Sequence, residues 1–406
     1  MTVAAEFPKD AAPNDRLAQR NALVLAVAQA LGTANSVVIA ATGSIVGVML
    51  APDPALATLP LSVQVLGLWF GTLPMGALAR RFGRRTAFQI GTACGVLTGI
   101  LCCLGVLWSS FLLFNAGTFF TGFYAAAHQA YRFAATDTAS DAFKPKAISW
   151  VMAGGVGAAF IGPQLVIFTQ NLWPTYLFAA SYVGQALLAL VAGGVLVLLD
   201  VPRPPRQSGS RRGRPMREIL RQPRLITAVG CGVASYAMMN LVMTSAPLAM
   251  VMCHHSTTDA TLGIQWHVLG MFVPSFFTGI LIARFGVERI VALGLALLAV
   301  SAVISIAGIS LGHFWVGLTM LGVGWNFGFI GATAMVTQCH RPEERHTVQS
   351  FNDFLVFGSM AITSFASGTV LATYGWVAVN TIIFPTVVLA GALLAWLTLR
   401  NRMRLA

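Results

Sequence analysis

Val65-Leu66-Gly67-Leu68-Trp69-Phe70-Gly71-Thr72-Leu73-Pro74-Met75-Gly76-Ala77-Leu78-Ala79-Arg80-Arg81-Phe82-Gly83-Arg84-Arg85 is an apolar run that ends in a basic turn. The same pattern returns, without a gap, in the second half of the chain. Val65-Leu66-Gly67 recurs as Val268-Leu269-Gly270, Gly76 as Gly279, Leu78 as Leu281, and Arg81-Phe82-Gly83 as Arg284-Phe285-Gly286, all at one offset. Matches that include glycines, over an apolar segment and the turn after it, imply two halves with a common fold.

Working outward from that stretch, all 25 Lys and Arg residues fall in alternate gaps between apolar segments. They sit at Lys9 to Arg20, Arg80 to Arg85, Arg132 to Lys146, Arg203 to Arg224, Arg284 to Arg289, Arg341 to Arg345 and Arg400 to Arg404; the intervening gaps hold none. By the positive-inside rule these clusters, and both termini, are expected to be cytoplasmic. Between them twelve spans are long enough for a hydrocarbon core of about 30 Å. Their expected limits are 21–49, 57–79, 86–107, 110–134, 147–169, 175–199, 225–252, 260–283, 288–310, 314–338, 348–371 and 375–399. Helix is the expected state, because such continuous runs do not suit barrel strands. The chain then divides into a tail (1–20), a six-helix half (21–199), a basic Pro, Arg, Gly and Ser-rich linker (200–224), a second six-helix half (225–399) and a second tail (400–406).

Composition agrees, with 56% hydrophobic and only 9% charged residues, where a soluble globule has about a quarter charged. A net charge of +12 reads here as loops facing an anionic leaflet and not as nucleic-acid binding. The six cysteines show no metal-ligand spacing with histidine. Residues 1–20 lack a short apolar core with a cleavage site, so no removable signal peptide is expected. No phosphate-binding signature, paired carboxylates or Ser/His/Asp arrangement at one depth suggests ATP use or enzymatic chemistry, and no cofactor or metal is expected.

Gly76, Arg80, Arg81, Gly83, Arg84 and Arg85 make a turn that resembles the signature loop of the major facilitator superfamily (MFS), and with the echo and the six-plus-six layout the resemblance covers nearly the whole chain. It implies an all-α integral membrane protein of twelve transmembrane helices in two pseudo-symmetric halves, a secondary transporter working by alternating access. It also implies that glycines let the second and eleventh helices approach closely, while basic residues hold a charge network that is remade as the halves rock. The acidic residue usual in the family at the position of Arg80 is missing, so another carboxylate, Asp137 or Asp141, is expected to serve. The Arg of many drug/proton antiporters is Thr118 here, and Gly154, Gly155, Gly157 and Gly162-Pro163 match the antiporter motif only in part.

The resemblance places the first, fourth, seventh and tenth helices around a central cavity. Near their midpoints lie Asn35, Tyr124, Asn240 and Asn326, with Trp325 beside the last. An amide in hydrocarbon needs a partner; a substrate supplies one, and so does a neighbouring helix. Tyr124, His128, Tyr131 and Arg132 share a helical face that either lines the cavity as a proton- or anion-responsive wall or holds a snorkelling Arg. Asp353, beside Asn352, is a carboxylate inside a span and a gate partner for Arg132, or else a helix-start residue favoured by the dipole. His267, which aligns with Gln64, is a proton carrier or a structural donor.

The leading expectation is a secondary active transporter of a small neutral or anionic organic solute, proton-coupled on the family's pattern, acting as a monomer within the lipid of a cell inner membrane. A drug/proton antiporter exporting hydrophobic compounds is one alternative. A receptor or assembly factor that kept the fold without transporting is another.

Overall fold

The computed structural model describes residues 15–140, 143–201, 214–341 and 344–403. The first half holds α1 (Asp15–Leu50), α2 (Leu59–Phe82), α3 (Arg84–Leu107), α4 (Phe111–Gln129), the single turn α5 (Tyr131–Ala134), α6 (Lys144–Thr169) and α7 (Ala179–Leu196). After the short α8 (Met216–Ile219) come α9 (Pro223–Met252), α10 (Thr257–Phe272), α11 (Ser275–Phe285), α12 (Val287–Ala307), α13 (Leu311–Thr337), α14 (Arg345–Thr381) and α15 (Ile383–Met403). Parts of the two expected tails and of the linker (1–14, 202–213 and 404–406) lie outside the described residues, as does Asp141.

Among the described residues, ten stretches are long and apolar enough to cross a membrane. One of them, Phe351–Asn401, has 51 residues, about 75 Å of helix and enough for two crossings. Gly375, at φ 77°, breaks it into two. The remaining crossing is α4, whose polar Asn115, Thr118, Thr121 and His128 are buried inside the bundle. Twelve crossings result. Three expected spans are in pieces: the fourth breaks at Ala130, the eighth at Val273-Pro274, where proline removes a backbone donor, and the twelfth at Ile382.

The repeat in sequence is a repeat in backbone. Gly83 and Gly286 have φ of 91° and 89°, and Arg81 and Arg284 lie 5.2 and 5.3 Å over the rings of Phe82 and Phe285. Only glycine adopts such angles without strain, so both turns depend on it. Inside each half a glycine pair brings two helices into backbone contact. A Cβ on Gly122 would fall 2.1 Å from the Gln64 oxygen on α2, and one on Gly322 would fall 2.4 Å from the His267 oxygen on α10. In the second half α12 approaches α13 in the same way through Gly294, Gly324 and Gly328.

The halves meet where α2 packs on α14, α6 on α10 and α1 on α9. At the distal end, opposite the one where α1 starts and α15 finishes, Ser62 donates to Ser364 at 3.0 Å and Gln164 to Gln265 at 3.0 Å. Gln170 donates to Thr258 and accepts from Thr257, both at 2.9 Å. Gly368 of α14 lies against Thr58, the residue before α2.

At the terminal end, the hydrogen bonds and ion pairs gather within each half. Arg84 grips both carboxylate oxygens of Asp137, one of the two carboxylates expected to serve the signature loop; burial raises the Asp137 carboxyl. Gly76 and Arg81 belong to the second half of α2, Gly83 caps it, and Arg84 and Arg85 open α3. Arg80 falls in the last turn of α2, its side chain outside what is described. In the second half Arg224 pairs with Glu288 at 3.0 Å. Glu344 accepts from the Arg214 side chain at 2.9 and 2.8 Å and from two backbone N–H groups, which hold its carboxyl well below the usual range.

Candidate functional site

A cavity of about 200 Å³ lies between the halves. From the first half α1 lends Gln29, Thr33 and Ser36, α2 lends Gln64, and the α4–α5 junction lends His128, Gln129 and Arg132. From the second half come Tyr236, Asn240 and Thr244 on α9, Trp325 and Phe329 on α13, and Asp353, Phe357 and Met360 on α14. One wall is therefore polar and the other largely aromatic.

The aromatic wall is ordered by helical spacing. Trp325 and Phe329, one turn apart, stack with centroids 5.3 Å apart and planes 16° from parallel. Tyr236 stands edge-on to both, at 5.2 and 4.8 Å, and Phe357 closes the corner 6.0 Å from Tyr236. The Trp325 Nε1 donor is buried with no partner among the described residues. A buried donor without an acceptor costs free energy that a ligand oxygen or nitrogen recovers. Asn240 donates through Nδ2 to the Met360 oxygen at 3.0 Å, which fixes its amide on the cavity wall.

The charged residues lining the cavity are Arg132 and Asp353. Both stand near its terminal end, and no ion pair within 4.0 Å joins them among the described residues. Asp353 accepts instead from Asn352 at 3.2 Å, and Arg132 lies 4.9 Å over the Phe133 ring. His128 has Nε2 3.5 Å from the Ser36 hydroxyl and a buried Nδ1 without a partner among the described residues.

Other residues singled out in the sequence are placed elsewhere. Asn35 exchanges hydrogen bonds with Gln185 on α7: its Nδ2 donates to the Gln185 oxygen at 3.1 Å, and Gln185 Nε2 donates to both Asn35 oxygens at 2.9 and 3.1 Å. Asn326 faces α10 and α11, accepting from Thr278 and donating to the Met271 oxygen and to Ser275, each at 2.6 Å. Tyr124 is fully buried behind His128, their rings 5.7 Å apart, and Tyr131 is buried against Phe88. His267 turns Nδ1 to the Leu318 oxygen at 2.9 Å, whereas its counterpart Gln64 lines the cavity. The expected stripe on the fourth helix thus divides: His128 and Arg132 face the cavity, and the tyrosines do not. Sequence reasoning passed over Tyr236, Phe329 and Phe357, and did not assign Gln29 or Gln64 to the site. The three aromatics were legible in principle, each four residues from a singled-out Asn240, Trp325 or Asp353 and so on its helical face. Among the described residues no group of His, Cys, Asp and Glu is arranged to hold a metal.

Two pseudo-symmetric helix bundles around a shared cavity, tied at one end, define the class of membrane transporters. The family model of the Major Facilitator Superfamily matches residues 22–265 and 228–405, and the chain belongs to that superfamily. It is 52% identical over 374 residues to the riboflavin transporter RfnT of Brucella anthropi, covering 92% of this chain and 94% of that one. It is 26% identical to the uncharacterized MFS-type transporter YdeG of Bacillus subtilis, over 90% of this chain and 89% of that one. Among solved structures, an aspartate-to-alanine mutant of the nucleoside transporter NupG superposes with a TM-score of 0.71 at 15% identity, over 93% of this chain and 99% of that one. The chain is a transporter of a small solute and not an enzyme.

Proposed function

We propose that this protein carries riboflavin, or a planar neutral heteroaromatic solute of the same kind, across the inner membrane by alternating access. The observation that carries the reading is the corner of Tyr236, Trp325 and Phe329 sharing one cavity with the amides of Gln29, Gln64 and Asn240. A tricyclic flavin ring offers a broad apolar face to such a corner and donors and acceptors along its edge to such amides. The lining charges are one Arg and one Asp, which sum to zero and favour a neutral solute over an ion. The 52% identity to a protein named as a riboflavin transporter supports the same substrate.

The alternate placement of all 25 basic residues supports an orientation with both termini in the cytoplasm. On that orientation the distal ties close the periplasmic side. Proton coupling is assigned to His128 and Asp353, which line the cavity and can change charge as it opens to either side. The cycle needs no cofactor, and one chain contains the whole cavity.

Riboflavin fluoresces, so uptake into cells that cannot make the vitamin is a direct test. Expression of the wild type is expected to restore growth on low external riboflavin, and Trp325→Leu to lower uptake about tenfold or more through loss of stacking and of the Nε1 donor. In vesicles, His128→Gln is expected to remove the dependence of uptake on an imposed pH gradient. Failure of the wild type to move riboflavin in either direction would refute the substrate assignment, and efflux in place of uptake would revise only the direction.

A further inference from the structure

The outer side of the first half carries a groove that the transport cavity does not use. It runs between α1 and α6, measures about 610 Å³, and is walled by Leu23, Val27 and Leu31 from one helix and Trp150, Ala153 and Ile161 from the other. Its floor is narrow because the helices touch there: a Cβ on Gly154 would lie 2.2 Å from the Ala26 oxygen. Leu23, Val27 and Trp150 stand up on either side, 57%, 49% and 37% exposed. On α1 the groove face is distinct from the face bearing Gln29, Thr33 and Ser36 that lines the cavity, so it points outward to the hydrocarbon.

Toward the terminal end the same two helical faces become basic. Arg16 and Arg20 lie two turns before Leu23 and Val27, and Lys146 lies one turn before Trp150. All three cations are exposed, and none takes part in an ion pair among the described residues. Neither neighbouring acid pairs with them among the described residues. Asp15 accepts from the Ser140 backbone and hydroxyl at 2.9 and 2.8 Å, and Asp200 is held through its backbone by Asn21 on another side of α1.

We propose that this groove is a binding site for an anionic glycerophospholipid, with an acyl chain lying between α1 and α6 and the phosphate held by Arg16, Arg20 and Lys146. Charge complementarity selects the occupant. A neutral lipid would fill the groove and leave three cations at its mouth without a counter-charge. Free phosphate would meet the cations and leave the apolar walls uncovered. Only an anionic lipid satisfies both parts at once, at the depth where a membrane-spanning helix passes from hydrocarbon to headgroups.

Native mass spectrometry of the delipidated protein, titrated with dioleoylphosphatidylglycerol and dioleoylphosphatidylcholine, tests the site. The phosphatidylglycerol adduct is expected to form at about one-tenth of the concentration that the phosphatidylcholine adduct needs. The triple variant Arg16→Gln, Arg20→Gln, Lys146→Gln should bring the two lipids to parity. Val27→Trp, which fills the groove and leaves every cation in place, should weaken the phosphatidylglycerol adduct on its own and decides the matter if the triple variant fails to fold. Equal adducts of the two lipids on the wild type, or an undiminished adduct on Val27→Trp, would overturn the proposal. So would inorganic phosphate that raises the Tm as far as phosphatidylglycerol does.

Discussion

Asn35 and Asn240 occupy corresponding places in the two halves and read alike in sequence, yet their amides have different surroundings. Asn35 is closed into a three-bond exchange with Gln185, so Asn35→Ala is expected to destabilise the protein by about 1–3 kcal/mol, leaving buried partners unpaired. Its transport KM should stay within about twofold of the wild type, because no cavity contact is lost. Asn240→Ala should raise KM instead, with a smaller change in Tm; the reverse assignment in a paired uptake and thermal-shift experiment would show that the amides had been misread. Glu344 makes a second case at this scale. Its carboxyl is held below the ordinary value, mainly by Arg214 and then by the Arg341 N–H, so its stabilisation is complete above the unfolded pKa. That stabilisation is lost as pH falls through the lower folded value. Glu344→Gln should therefore lower the Tm at pH 7, and the gap from the wild type should narrow as the solution is taken below about pH 4.

Helix approach depends on glycines that work in pairs. Gly122 brings α4 against the backbone of α2, where an added Cβ would lie 2.1 Å from the Gln64 oxygen and 2.3 Å from the Leu68 nitrogen. Backbone cannot turn aside as a side chain can, so Gly122→Ala must push the helices apart, at a cost of about 1–3 kcal/mol or more. Gly194→Ala is the control, since its Cβ would meet nothing within 4 Å and alanine favours helix by up to about 1 kcal/mol. A lower Tm for the first variant and an unchanged or higher one for the second is the expected result, read by thermal unfolding in detergent. At the same scale, the helix breaks at Ala130, inside the stripe of four residues. The helical register carries on from Tyr124 to His128, but the chain reorients before Tyr131, whose ring packs 4.6 Å from Phe88.

Across the whole molecule the two halves are tied at the distal end by Ser62–Ser364, Gln164–Gln265 and the Gln170 pair, while at the other end Arg132 and Asp353 form no ion pair with each other among the described residues. Alternating access requires those ties to part. Cysteines at 62 and 364 would replace two hydroxyls 3.0 Å apart and are expected to form a disulfide on oxidation. Oxidation should then stop uptake and reduction restore it, while the single variant Ser62→Cys, with no cysteine opposite it, stays active under oxidant. Transport that persists in the cross-linked double variant would mean that the halves do not separate along this seam.

Charge placement, span length and the echo of Val65–Gly83 in Val268–Gly286 were legible because each rests on local chemistry. Lipid makes a cation within a span costly wherever the span lies in the bundle, and a turn that needs positive φ needs glycine in either half. Asn240, Trp325, His128, Arg132 and Asp353 were likewise legible as cavity residues, since polar groups at depth in a span are costly and few. Which amide faces solute and which faces another helix was decided only by tertiary packing. Asn35, Asn326 and His267 each found an acceptor or donor on a neighbouring helix, at Gln185, Thr278 and Leu318, and that partner is supplied by how helices distant in sequence come together.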